Sequence, residues 1–242
     1  MDGLWKLTEI KSPNLKHPVS VITASLGYLP NSNRFQTINL YVARSPSSEV
    51  LVGQPALSLP VSPDERLPQV QVHIHGGAWR DPDLTASSIE AAVAHTFVTD
   101  DTRENNSIKV VASINYTLSP FPRHPTKPYF NDPSMDKVTD LSRSAIHPRH
   151  VHDVLDAFSR LRSLGLSDGR YILTGHSAGA CLAFQAILPH TAYWGYAGHV
   201  KPPRPIAIIG MNGLYDLPDL VNNLGPQHHD LRDVYADLLG VA

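Results

Sequence analysis

Apolar residues along the chain fall into short runs separated by polar, proline-rich connections, and six of these runs have the character of strands. Residues 18–26 (PVSVITASL) and 36–43 (QTINLYVA) are rich in β-branched side chains and partly alternate, as antiparallel edge strands do. Residues 70–75 (VQVHIH), 109–115 (KVVASIN), 171–174 (YILT) and 206–210 (IAIIG) are nearly continuous apolar runs. That pattern predicts strands covered on both faces of a parallel sheet.

The segments between them carry helical spacing. In residues 149–164, Val151, Val154, Leu155, Phe158 and Leu161 recur at intervals of three and four, forming one apolar stripe, and Gly165 ends the helix. Residues 87–98 (SSIEAAVAHTFV) predict a second helix with Ser87 or Ser88 as its cap. Residues 178–188 are small and apolar nearly all round, which suits a helix buried beside the sheet. A β-hairpin followed by alternating strands and helices predicts one α/β domain over residues 1–242, with a mostly parallel sheet flanked by helices.

Composition narrows the class. The chain of 242 residues is 42% hydrophobic and 17% charged, values of a globular protein with one sizeable core. A formal net charge of -2 with interspersed signs provides neither a nucleic-acid stripe nor a polybasic membrane patch. The first residues are polar, and no apolar run is long enough to span a membrane. The single cysteine, Cys181, has no partner for an internal disulfide, which predicts a reducing, cytoplasmic compartment. The 21 prolines gather in connections, where they stiffen loops. Thirteen histidines raise the question of a metal, but no HExxH or CxxC spacing supports one, and His73 and His75 on one strand would still need further ligands. No metal and no cofactor is expected.

The chemistry is concentrated at Gly175-His176-Ser177-Ala178-Gly179, a G-x-S-x-G motif between the strand YILT and the helix that begins near Ala178. A turn this sharp holds the serine in a strained conformation, and Gly175 and Gly179 relieve the collisions that side chains would cause. The same pentapeptide also occurs as an ordinary glycine turn whose serine caps a helix, but the strand–turn–helix setting favours a nucleophile. Upstream, His75-Gly76-Gly77-Ala78-Trp79 leaves the strand VQVHIH, where an α/β hydrolase keeps the other half of its oxyanion hole. The donors assigned are the amides of Gly77, Ala78 and Ala178. Trp79 reads either as packing support or as a pocket wall.

HGGAW, the segment INYTLSP (residues 114–120) and GHSAGA (residues 175–180) together resemble the α/β-hydrolase esterases, and more narrowly the fungal kynurenine formamidases. HIHGGAWRDP and NGLYDLPDLV (residues 212–221) strengthen the narrower likeness, which covers roughly residues 70–239. Hormone-sensitive-lipase-like esterases usually have a third glycine after HGG and an aspartate before the serine; Ala78 and His176 stand there. The resemblance implies hydrolysis of N-formyl-L-kynurenine to L-kynurenine and formate through Ser177, a small-molecule substrate, no cofactor and a homodimer. A general carboxylesterase is the alternative, and a catalytically impaired, hydrolase-like binding protein is a second.

One part of the pattern is missing. In this fold the acid and the histidine follow the serine in the chain, yet the residues after Gly210 read as helices (217–224 and 229–239) rather than strands. This predicts a C-terminally incomplete domain lacking its last two strands. Asp216 is a weak candidate acid that also reads as a turn or helix cap, and His228 and His229 are weak candidate bases that also read as solvent-facing. His176 neighbours the nucleophile, but adjacent residues at an elbow point apart. Tyr116 and residues of the loop 120–148, joined by Trp79 in its pocket-wall reading, are expected to line the pocket. Arg123 or Arg143 is placed either against a substrate carboxylate or on the solvated surface.

Overall fold

The computed structural model describes residues 3–62, 68–98, 107–129, 140–188, 191–196 and 201–223, with isolated positions 225, 232 and 235. Its seven strands are β1 (Lys6–Ile10), β2 (Val19–Gly27), β3 (Thr37–Ala43), β4 (Val70–Ile74), β5 (Val110–Ile114), β6 (Tyr171–His176) and β7 (Ala207–Met211). The helices are α1 (Pro46–Glu49), α2 (Glu90–Phe97), α3 (Arg149–Ser163), α4 (Ala178–Ile187) and α5 (Leu217–Asn222). The strands form one mixed sheet in the order β1-β2-β3-β5-β4-β6-β7. The first three strands and the β3–β5 pair are antiparallel, and β5, β4, β6 and β7 run parallel.

All six expected strands are present, with one addition and two corrections. β1 goes unpredicted because in KLTEI only Ile10 is buried, so the segment carries no apolar periodicity. Its presence makes β1 the edge, while β2 and β3 lie inside the sheet. The cap before α2 is Thr85 rather than Ser87 or Ser88; a single 3₁₀ turn, Ala86–Ile89, precedes the helix, and Thr85 and Ser88 form a reciprocal capping box. The expected helix 229–239 falls almost wholly outside the described residues.

Packing on the sheet is two-sided and unequal. Val70, Val72, Ile74, Val110, Ala112, Ile114, Tyr171 and Leu173 face α3 and α4 in the larger core, where Val154, Phe158, Leu161 and Leu182 are fully buried. Tyr41, Val21 and Val111 meet Val93, Ala94 and Phe97 of α2 on the other side. The second face of the parallel strands is not purely apolar. Gln71, His73, Ser113 and Thr174 form a polar row there, with His73 Nδ1 3.0 Å from Thr174 Oγ1 and Gln71 Nε2 donating to the same hydroxyl at 3.2 Å. β7 differs from the other parallel strands, because Ile209 and Met211 stay 48% and 42% exposed. No helix among the described residues is long and apolar enough to cross a membrane.

α3 is amphipathic as predicted, and Phe158 is its deepest aromatic, set against Tyr171 of β6 with ring centroids 5.9 Å apart. Replacing Phe158 with Ala should destabilise the protein by about 3–5 kcal/mol through lost burial and an unfilled cavity. The check is thermal unfolding, where Tm should fall by about 10 °C.

Candidate active site

The register of the parallel strands puts their carboxyl ends level. Ile74 of β4 is opposite Gly175 of β6, and Gly175 is opposite Gly210 of β7. The two motifs therefore leave the sheet side by side.

Ser177 has φ 51° and ψ −121°, a left-handed conformation that costs energy for a non-glycine residue, and its amide donates to the Met211 carbonyl at 2.8 Å. α4 starts at the next residue, so the positive end of a helix lies beside the hydroxyl. The glycines answer two separate collisions. A Cβ on Gly175 would lie 2.4 Å from the Gly179 carbonyl oxygen, whereas one on Gly179 would lie 2.1 Å from that of Ile74 and 2.4 Å from that of His75. Gly175 relieves the elbow itself; Gly179 admits α4 against the end of β4.

The HGGAW segment forms a left-handed turn in which Gly77, Ala78 and Trp79 have φ of 98°, 47° and 59°. The Gly77 carbonyl closes it by accepting from the amides of Arg80 at 3.0 Å and Asp81 at 2.9 Å. Among the described residues, the amides of Gly77, Ala78 and Ala178 have no acceptor. A Cβ on Gly76 would sit 3.2 Å from Ser177 Cβ, so the turn and the serine are in contact. Ser177 and the turn that carries two of these amides thus meet at one end of the sheet; a serine beside free backbone amides can chemically support attack on an acyl carbon and hold the resulting oxyanion.

Other predicted residues are placed differently. Trp79 and Tyr116 are 2% and 0% exposed, so they support the turn from behind rather than lining a pocket. His75 is also buried, stacked on Tyr116 at 4.5 Å, and its Nδ1 donates to the Gly76 carbonyl at 2.8 Å. His73 and His75 do not converge, since the first bonds Thr174 and the second Gly76. Arg143 is buried, stacks over Tyr129 and donates to the Lys127 carbonyl at 2.8 Å, so it does not lie on the solvated surface. Arg123 is exposed. Asp216 caps α5, accepting from the Asp219 amide at 2.9 Å. His228 and His229 lie outside the described residues. His176 is exposed, with Nδ1 against Gly76. Among the described residues, no side chain hydrogen-bonds the Ser177 hydroxyl.

Sequence reasoning did not single out the contacts between the loop after β5 and the turn. Arg80 lies over the Phe121 ring at 4.2 Å, and His124 Nε2 is 3.3 Å from both Asp81 Oδ1 and Asp83 Oδ2. Asp81, Asp83 and His124 could by spacing hold a metal ion. Hydrogen bonding accounts for them without one: His124 Nδ1 accepts from the Lys127 amide at 2.9 Å, which puts the ring hydrogen on Nε2, facing the carboxylates. The short spacing of aspartates and the loop histidine was visible in the chain, but their convergence depends on the tertiary fold.

The sheet order and the strand–turn–helix elbow are those of the α/β-hydrolase fold, and solved esterases share the architecture: esterase B from Lactobacillus rhamnosis superposes with a TM-score of 0.54 at 14% identity, over 96% of this chain and 59% of that one. No protein-family model matches the chain. Its sequence is similar to a kynurenine formamidase-like hydrolase of Fusarium equiseti, 40% identical over 155 residues, or 64% of this chain and 48% of the relative. A kynurenine formamidase of Aspergillus versicolor is 35% identical over 154 residues, 63% of this chain and 46% of the relative. The chain spans about half the length of these curated relatives.

Behind the turn, burial keeps imidazoles neutral. Desolvation pushes His73 and His75 down to about 4 and His150 to about 3; the neighbouring charges of His147 and Arg149 add to the last effect. The unfolded chain takes up these protons near pH 6.5, whereas the folded chain resists until about pH 4 or below. Their contribution to stability is therefore complete above pH 6.5 and declines as pH falls toward 4. Urea unfolding across this window should show that decline, and His150→Gln should make the slope shallower by about 1 kcal/mol per pH unit.

Proposed function

We propose that the chain carries the nucleophile and oxyanion hole of a serine-dependent formamidase that cleaves N-formyl-L-kynurenine to L-kynurenine and formate. The observation that carries this reading is the left-handed Ser177 in contact with Gly76, next to the unoccupied amides of Gly77, Ala78 and Ala178. Similarity to kynurenine formamidases supplies the substrate.

In this reading Ser177 Oγ attacks the formyl carbon and passes its proton to a base. The carbonyl oxygen becomes an oxyanion held by the three amides, each worth about 3–4 kcal/mol of transition-state stabilisation. Collapse breaks the C–N bond, and kynurenine leaves as an aryl amine after receiving a proton. Water then attacks the formyl-serine, releasing formate and restoring the hydroxyl. Neither metal nor organic cofactor takes part, and the substrate is a small molecule. Asp216 is engaged as a helix cap, and His228 and His229 lie outside the described residues, so none of them is assigned as acid or base.

The esterase fold of the solved neighbours favours a general carboxylesterase as the second reading. Hydrolysis of N-formylkynurenine and of a short p-nitrophenyl ester, measured side by side, separates the two. The formamide should be preferred, and Ser177→Ala should lower its turnover at least about 10³-fold. Preference for the ester by orders of magnitude would replace formamidase with esterase. Absence of turnover, together with failure of a fluorophosphonate to label Ser177, would leave a hydrolase-like binding protein.

A further inference from the structure

The peptide geometry of the turn gives Tyr116 a role beyond packing. A trans peptide is planar, and its C=O and N–H point in opposite directions. The carbonyl of Gly76 and the amide of Gly77 belong to one such plane, so whatever holds the carbonyl also aims the amide. The Gly76 carbonyl accepts from His75 Nδ1 at 2.8 Å and from the Tyr116 hydroxyl at 3.1 Å, and that hydroxyl also reaches the His75 carbonyl at 3.1 Å, tying the two carbonyls together. Both acceptors lie on the buried side of the turn. Ala78 is aimed by the same logic, through the Gly77 carbonyl and the amides of Arg80 and Asp81.

We propose that Tyr116 is a positioning residue for the oxyanion hole: its hydroxyl clamps the His75 and Gly76 carbonyls inward and thereby turns the Gly77 amide toward the reacting carbon. The clamp is permanently a donor, because burial raises the Tyr116 hydroxyl far above the ordinary range of tyrosine. The ring cannot drift, since His75 stacks on one face at 4.5 Å and His150 meets it edge-on at 6.0 Å. Left-handed φ values at Ala78 and Trp79 make such a restraint necessary, because an unrestrained turn would relax toward less strained backbone.

The kinetic part of this proposal rests on the hydrolase reading of Ser177, so the test has a part that does not. In the NMR spectrum of the full chain, the Gly77 amide should have an order parameter near 0.85, falling below about 0.6 in Tyr116→Phe. Tyr171→Phe is the control, because it removes a buried tyrosine hydroxyl that donates to the Pro203 carbonyl at 2.6 Å, at the opposite end of β6 from the turn, so the Gly77 amide should stay rigid. In turnover, Tyr116→Phe should lower kcat about tenfold with KM unchanged, whereas Tyr171→Phe should alter neither. In the wild-type protein the buried hydroxyl proton should exchange slowly and show cross-peaks to the Gly76 α-protons, which tests the clamp even if the Phe variant fails to fold. A rigid Gly77 amide in Tyr116→Phe, or lack of that proton resonance, would overturn the proposal. An inactive, unlabelled wild-type protein would instead remove the hydrolase reading, and the order parameters would still decide the clamp.

Discussion

The site depends on how closely α4 approaches the end of β4. A side chain at Gly179 would overlap the Ile74 carbonyl oxygen, with its Cβ only 2.1 Å away. Without that clearance the helix would be displaced from the sheet, and Ser177 would be carried away from Gly76. The level carboxyl ends of β4 and β6 supply the other half of the constraint, because the pairing of Ile74 with Gly175 makes both motifs emerge at the same height. A one-residue slip in a parallel pair would reverse every side chain along β6 and move Ser177 with them.

Once the two turns meet, strain and polarity become functional. Ser177, Ala78 and Trp79 all occupy left-handed backbone, a concentration that persists only where surroundings over-determine it. The segment after β5 supplies much of that support. The Trp79 carbonyl accepts from the Ser119 amide at 2.8 Å, Asn115 Oδ1 accepts from the Ala86 amide at 2.6 Å, and the Thr117 amide donates to buried Asp153 at 2.8 Å. INYTLSP is thus a scaffold for the turn that carries the proposed oxyanion donors, while the imidazoles behind it stay neutral and add no competing charge.

The sheet was legible from the chain wherever burial was lopsided enough to leave a pattern. Parallel strands announced themselves as apolar runs, and α3 as a stripe, because those residues have one dominant environment. β1 did not, as its side chains mostly face water and its pairing with β2 comes from backbone bonds that any sequence can make. The nucleophile motif was equally readable, since glycine is required at Gly175 and Gly179 by backbone collisions local to a known turn. Tyr116 was misread as a pocket wall because an aromatic residue after a strand has the same sequence signature whether it faces substrate or core. Its hydroxyl partners are carbonyls some forty residues upstream, and only the tertiary fold brings them together. Arg143 illustrates the same limit: its burial against Tyr129 follows from loop packing, to which composition is blind.

The central claim is that Ser177 and the amides of Gly77, Ala78 and Ala178 surround one reacting centre. A crystal structure of the protein after reaction with an aryl or alkyl phosphonate addresses it directly. The account predicts phosphorus bonded to Ser177 Oγ, with its non-bridging oxygen about 2.7–3.1 Å from those three amides. A phosphonate attached elsewhere, or one on Ser177 whose oxygen faces solvent with the amides unengaged, would contradict it.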